Sequence, residues 1–95
     1  MSEQAGFLDL IRLAVENRAG RKIMSISDAR WLAAELEKQK LYLSGHTIAR
    51  FFRVIKPERK IYRGSLNVLA RYSGFNDWNH FCQATDHVLP ALAEN

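Results

Sequence analysis

The run Ser44-Gly45-His46-Thr47-Ile48-Ala49-Arg50-Phe51-Phe52-Arg53-Val54-Ile55, with Pro57 two residues beyond it, constrains the fold more than any other stretch. Proline inside a helix removes an amide donor and clashes with the preceding turn, so a helix here must stop before it. At the other end Ser44 is a good N-cap, because its hydroxyl can accept a hydrogen bond from an orphan amide of the first turn. Between these bounds Ile48, Phe51, Phe52 and Ile55 fall at i, i+3, i+4 and i+7, the apolar stripe of a helix buried on one face. The spacing predicts a helix over 45–55. Gly45, His46, Ala49, Arg50 and Arg53 are left for the outer face, small and polar at its start and basic further along. A helix that enters a DNA major groove needs such a face: short side chains against base edges, cations against phosphate. A core helix with an incidentally basic exterior has the same pattern, so the rest of the chain has to decide.

Charge placement is the second constraint. The net charge is +4, yet residues 38–71 hold nine cations (Lys38, Lys40, Arg50, Arg53, Lys56, Arg59, Lys60, Arg63 and Arg71) against the single anion Glu58. Residues 1–37 are nearly balanced, and residues 72–95 are purely acidic. A surface without a task mixes its signs. Here the positive charge gathers around the one helix, which favours a polyanionic partner. Ninety-five residues with 47% hydrophobic and 25% charged side chains suit one folded domain, 1–95, with a core over 5–86 and a tail from 87. No apolar run of about eighteen residues and no signal-peptide pattern is present, so neither a membrane span nor export by that route is expected. The lone Cys82 rules out an internal disulfide and suits the reducing cytoplasm.

The remaining elements follow from periodicity and punctuation. Phe7, Leu10, Ile11, Ala14 and Val15 predict an amphipathic helix over 5–18, with Asp9, Arg12 and Glu16 on its far side and Gly20 as its stop. Arg21 and Lys22 fall in a linker. Ser25 with Asp28 has capping-box spacing, and Ser27 is an alternative cap with Ile26 and Trp31 as a hydrophobic staple. Either way a helix is expected over 27–39, burying Ala29, Leu32, Ala33 and Leu36, its small residues allowing close packing. Leu41-Tyr42-Leu43 links it to Ser44, and the pair forms a helix-turn-helix-like unit. Residues 56–64 read as an irregular basic loop or a small basic wing, ended by Gly64. Ser65 should cap a fourth helix with Leu66, Leu69 and Ala70 inward, and Gly74 its left-handed end. Asn76 should cap a fifth, carrying Trp78, Phe81, Cys82 and Thr85. The fold class expected is all-α, a bundle of about five short helices.

Ser25-x-x-Asp28, Leu32-Ala33, Tyr42-Leu43-Ser44-x-x-Thr47-Ile48-x-Arg50-Phe51-Phe52 and Leu66-x-x-Leu69-Ala70-x-Tyr72-x-Gly74-Phe75-x-x-Trp78-x-x-Phe81 follow one another in this order. The series, over residues 25–82, resembles a small helix-turn-helix-like domain from the N-termini of many proteins of Bacteroidota-type bacteria. More distantly it resembles the DNA-binding domains of Cro/C1-type repressors. That resemblance implies that Gly45, His46, Thr47, Ala49 and Arg50 form the base-facing start of a recognition helix. One departure concerns geometry: Ala33 to Ser44 spans eleven residues, longer than the repressor spacing by about one and a half turns.

Other chemistries find less support. His80, Cys82 and His87 are close in sequence, but His80 and Cys82 point to different sides of a helix and no second cysteine completes a tetrahedral site. Cys82 belongs to an apolar stripe and reads as a small hydrophobe. No carboxylate pair or glycine-rich phosphate cradle is present, so catalysis and a cofactor are not expected. Phe7, Trp31, Phe51, Phe75, Trp78 and Phe81 fit core stripes, leaving Tyr42 and Tyr62 beside the basic stretch. Two aromatics are few for single-stranded nucleic acid or RNA, whose bases stack on exposed aromatic rings.

The leading expectation is a non-enzymatic, cytoplasmic double-stranded DNA-binding domain of a transcriptional regulator or mobile-element protein. Gly45, His46, Thr47, Ala49 and Arg50 would approach bases, while Arg53, Lys56, Arg59, Lys60 and Arg63 would hold phosphates. The alternative is a protein-interaction module whose basic face docks an acidic partner. A homodimer, a further domain or a partner protein would supply the affinity that a single small reader lacks.

Overall fold

The computed structural model describes residues 3–56 and 61–86, and every regular element among them is helical. The order is α1 (Glu3–Ala19), α2 (Ile26–Lys38), α3 (Gly45–Phe51), α4 (Arg63–Tyr72) and α5 (Trp78–Thr85). This is the expected all-α bundle. α2 packs mainly on α3, whereas α1, α4 and α5 pack on one another. One core joins the two groups. Ile11 and Val15 of α1, Leu32 and Leu36 of α2, Ile48 of α3, Leu69 of α4 and Phe81 of α5 are all essentially closed to solvent. Each such side chain contributes about 1.5–3 kcal/mol of burial.

Helix starts follow local hydrogen-bond chemistry. Ser25 is the cap of α2: its hydroxyl accepts from the Asp28 amide at 3.1 Å. The Asp28 carboxylate in turn accepts from the Met24 amide at 2.9 Å, one residue before the usual capping-box donor. Arg21 clasps the other Asp28 oxygen at 2.5 Å and lies over the Trp31 ring, 4.6 Å from its centroid. These bonds, the Met24 amide first, hold the Asp28 carboxyl below the ordinary Asp range. Ser44 caps α3 through the Thr47 amide at 3.1 Å. The two remaining caps differ from expectation. α4 starts behind Tyr62 with no side-chain cap, so Ser65 and Gly64 lie inside it rather than before it. Asp77, not Asn76, caps α5, accepting from the His80 amide at 2.8 Å, while the Asn76 amide donates to His80 Nδ1 at 2.9 Å.

Helix ends carry the main correction. Gly74 ends α4 at φ +101, with Phe75 N–H donating to the Ala70 carbonyl and Gly74 N–H to that of Arg71, the paired bonds of a Schellman motif. The same pair recurs twice without glycine. After α2, Leu41 N–H reaches the Leu36 carbonyl and Lys40, at φ 60, that of Glu37. After α3, Val54 N–H reaches the Ala49 carbonyl and Arg53, at φ 60, that of Arg50. The helix expected over 45–55 therefore ends at Phe51, and Phe52 to Ile55 turn away from its axis. A left-handed backbone costs an ordinary L-residue roughly 1–2 kcal/mol, and Lys40 and Arg53 both bear it.

Candidate nucleic-acid interface

Seven residues make a helix of two turns, so few positions of α3 can face outward. His46 is exposed, and Thr47 and Arg50 are half-buried on the same side. Arg53 and Lys56, in the turn that follows, are exposed. The Ser44 hydroxyl donates to Thr47 Oγ1 at 2.9 Å, which fixes the Thr47 side chain against the cap. Of these five, Thr47, Arg50 and Arg53 line one surface groove.

Gly45 and Ala49 are not part of it. Ala49 is fully buried, and Gly45 lies against α2, where an added Cβ would stand 3.2 Å from Arg30 Cγ and 3.5 Å from its Cα. Gly45 thus lies in the seam between α2 and α3, where the lack of a side chain lets the helices approach closely, and Ala29 of α2 is buried like Ala49. A major groove and a helix seam both demand small side chains, and here the seam has claimed them.

Arg63 is exposed, on α4 and not beside α3. It occupies the first turn of α4, and its two terminal nitrogens reach Asn79 Oδ1 of the α5 segment, each at 3.3 Å. Arg59 and Lys60, and with them most of the expected wing or loop, lie outside the described residues. Tyr42 and Tyr62 are well exposed on the connections before α3 and before α4.

A cation on α1 joins the site instead. Arg12 Nε–H donates to the Phe51 carbonyl at 2.8 Å, and the guanidinium lies 4.7 Å from the centroid of the Phe51 ring. Asp9 accepts from its Nη1 at 3.0 Å. The Arg12 side chain is only 16% exposed, and burial, followed by the nearby charge of Arg53, lowers its pKa. In sequence Arg12 sits on the polar side of an amphipathic helix, and only the crossing of α1 over the end of α3 distinguishes it from Arg18.

Arg12, Arg50 and Arg53 line the rim of a groove of about 460 Å³ where α1, α3 and α4 meet. Leu8, Leu43, Phe51 and Leu69 form much of its wall. Thr47, Tyr62 and Ser65 contribute hydroxyl-bearing side chains to the same lining.

Among the described residues no three His, Cys, Asp or Glu side chains come together, and His87, the third member of the histidine–cysteine cluster, lies outside them. Cys82 is half-buried in α5, and burial pushes its thiol pKa up, opposed in part by the charge of Arg63. Of the aromatics expected in the core, Phe51, Trp78 and Phe81 are buried, while Phe7, Trp31 and Phe75 pack half-buried against it. Trp78 stacks on Phe81 with centroids 5.5 Å apart, and Phe75 meets Phe81 edge-on at 5.0 Å. No helix among the described residues is long and apolar enough to cross a membrane. Comparison with protein families, curated proteins and solved structures finds no match for the chain.

Proposed function

We propose that the chain is a non-enzymatic double-stranded DNA-binding domain, of the kind found in transcriptional regulators and mobile-element proteins and acting in the cytoplasm. One observation carries the reading. His46, Thr47 and Arg50 share the outward side of a helix capped by Ser44 and backed by α2, and Arg53 and Lys56 continue it. A short helix held this way offers a few side chains to base edges and a trail of cations to the backbone. In this reading Arg50 takes a base edge and Arg53, Lys56, Arg59 and Lys60 take phosphates. The short face yields few base contacts, so a second copy or a further domain supplies the rest of the affinity.

Fluorescence anisotropy with a random duplex at about 50 and 200 mM salt tests it. Neutralising about four or five phosphates gives log affinity a slope of roughly −4 against log salt. Arg50→Ala should cost about 1–3 kcal/mol on a preferred site and relax its preference, whereas Lys60→Ala should weaken all sequences alike. Absence of binding at the lower salt overturns the reading and leaves the acidic protein partner as the explanation of the basic face.

A further inference from the structure

Of the five charged side chains on α2, three are paired within the chain. Asp28 is held by Arg21, and Glu35 pairs with Lys38 at 2.6 Å. The other two are Arg30 and Glu37. Both are exposed, and among the described residues neither side chain makes a hydrogen bond or an ion pair. They stand seven positions apart with Ala33 and Ala34 between them, the i, i+3, i+4, i+7 spacing of one helix face.

That face is open. With Tyr42, Leu43 and Ser44 of the connection to α3 it lines a surface recess of about 480 Å³. Ala34 is exposed, and Tyr42 is 66% exposed, a large aromatic of the kind that interfaces favour. Arg30 is braced from one side: its Cγ stands 3.2 Å from where a Cβ on Gly45 would be, so its stem rests against the start of α3.

The order of the four residues decides what fits. The midpoint between Arg30 and Glu37 falls between Ala33 and Ala34. A two-fold axis through that point turns the face onto a copy of itself, antiparallel, and sets Arg30 against the partner's Glu37 and Glu37 against the partner's Arg30. Two-fold interfaces are self-complementary in this sense: residue i meets j, and j meets i. Alanines at the axis let the two backbones approach closely. A foreign partner would need an opposite pair of charges at the same spacing, which a second copy carries by construction.

We propose that α2 forms an antiparallel dimer with α2 of a second copy of this chain, crossing at Ala33 and Ala34 and closed by two Arg30–Glu37 pairs, with part of Tyr42 covered. The 13 residues of α2 span about 20 Å, a small contact beside the roughly 1,000 Å² that stable interfaces exceed. The dimer is therefore weak and exchanging, and its charge pairs set which surfaces meet more than how tightly they hold. Duplex binding is not assumed, since His46, Thr47 and Arg50 belong to α3 and not to this recess.

Sedimentation velocity of the full chain tests it, without nucleic acid, at low salt and from about 10 µM to 1 mM, the range a weak interface requires. Wild type should pass from monomer to dimer. Arg30→Glu and Glu37→Arg each set like charges together and should weaken the dimer by about tenfold or more. An equimolar mixture of these two variants should dimerise again at about wild-type strength, because every facing pair is then opposite in sign. Ala34→Arg, which brings two cations together at the axis, should also abolish the dimer, and circular dichroism shows whether each variant is folded. A monomer at every concentration, a dimer indifferent to the substitutions, or a mixture no tighter than its components overturns the proposal. Duplex titration of the same samples is a separate readout: loss of duplex binding with the dimer intact counts against the DNA reading alone, and a duplex-binding monomer against the dimer alone.

Discussion

Arg12 on α1 ties down the end of α3 by a hydrogen bond from its Nε–H to the Phe51 carbonyl at 2.8 Å. The last carbonyls of a helix have no partner within it, and a cation near them also meets the negative end of the helix dipole. The same guanidinium covers the Phe51 ring. One side chain thus joins the α1–α4–α5 group to the α2–α3 pair at the point where the candidate site lies.

Arg12→Ala should therefore destabilise the protein by about 2–3 kcal/mol, from a charged hydrogen bond and a partly desolvated ring contact. Arg12→Lys keeps the charge but not the planar Nε–H donor, and should recover only a minority of that loss. Urea unfolding measures both, and a wild-type midpoint in Arg12→Ala would show that the bond carries no net stability.

The two non-glycine helix ends make a second test. Lys40→Gly and Arg53→Gly remove a left-handed strain of about 1–2 kcal/mol but add about 0.4–1 kcal/mol of unfolded-state freedom. Each should gain on the order of 0.5–1 kcal/mol in thermal unfolding. Their binding should diverge: Arg53→Gly weakens attachment to duplex, while Lys40→Gly leaves it within twofold or so of wild type. Equal losses in both would mean that Arg53 has no special place in the site.

Ala49 separates a groove face from a packing seam. Enlarging it to leucine overfills the contact between α2 and α3 and should cost about 1–3 kcal/mol of stability. His46→Ala, at an exposed position, should stay within about 0.5 kcal/mol. If Ala49→Leu instead left stability unchanged and altered only the preferred DNA sequence, the seam assignment would be wrong.

Asp28 gives the start of α2 a pH dependence of known sign. Its native pKa is depressed, chiefly by the Met24 amide, so its contribution is present above the unfolded pKa and is lost as pH falls through the native one. Wild type should be more stable than Asp28→Asn at neutral pH, and the difference should close as the solution is acidified past the ordinary Asp range. A constant gap down to strongly acid pH would show that Asp28 acts by geometry and not by charge.

Much of the fold was legible because local chemistry announces it. Ser25 and Ser44 cap helices by hydroxyl-to-amide bonds that need no distant partner. Gly74 ends α4 where a left-handed residue is wanted, and the apolar spacings at 11, 15, 32, 36, 66 and 69 point to the core these residues occupy. The end of α3 was not legible, because an arginine stands where glycine would have marked the turn. Nor was the uncapped start of α4, since Ser65 suits a cap as well as it suits a first turn. At the site, His46, Arg53 and Lys56 are exposed and Thr47 and Arg50 half-buried, whereas Ala49, expected on the outer face, is fully buried.

Sequence alone thus determined the all-helical class, most of the core and the concentration of positive charge around α3, because periodicity, caps and charge are properties of neighbouring residues. Tertiary structure decided which small residues were seam and which cations met. Arg12 comes to Phe51 across 39 positions of chain, and Arg63, one of the cations of the basic run, reaches Asn79 on α5. Such pairings depend on how the helices cross, and no spacing along a single helix encodes that.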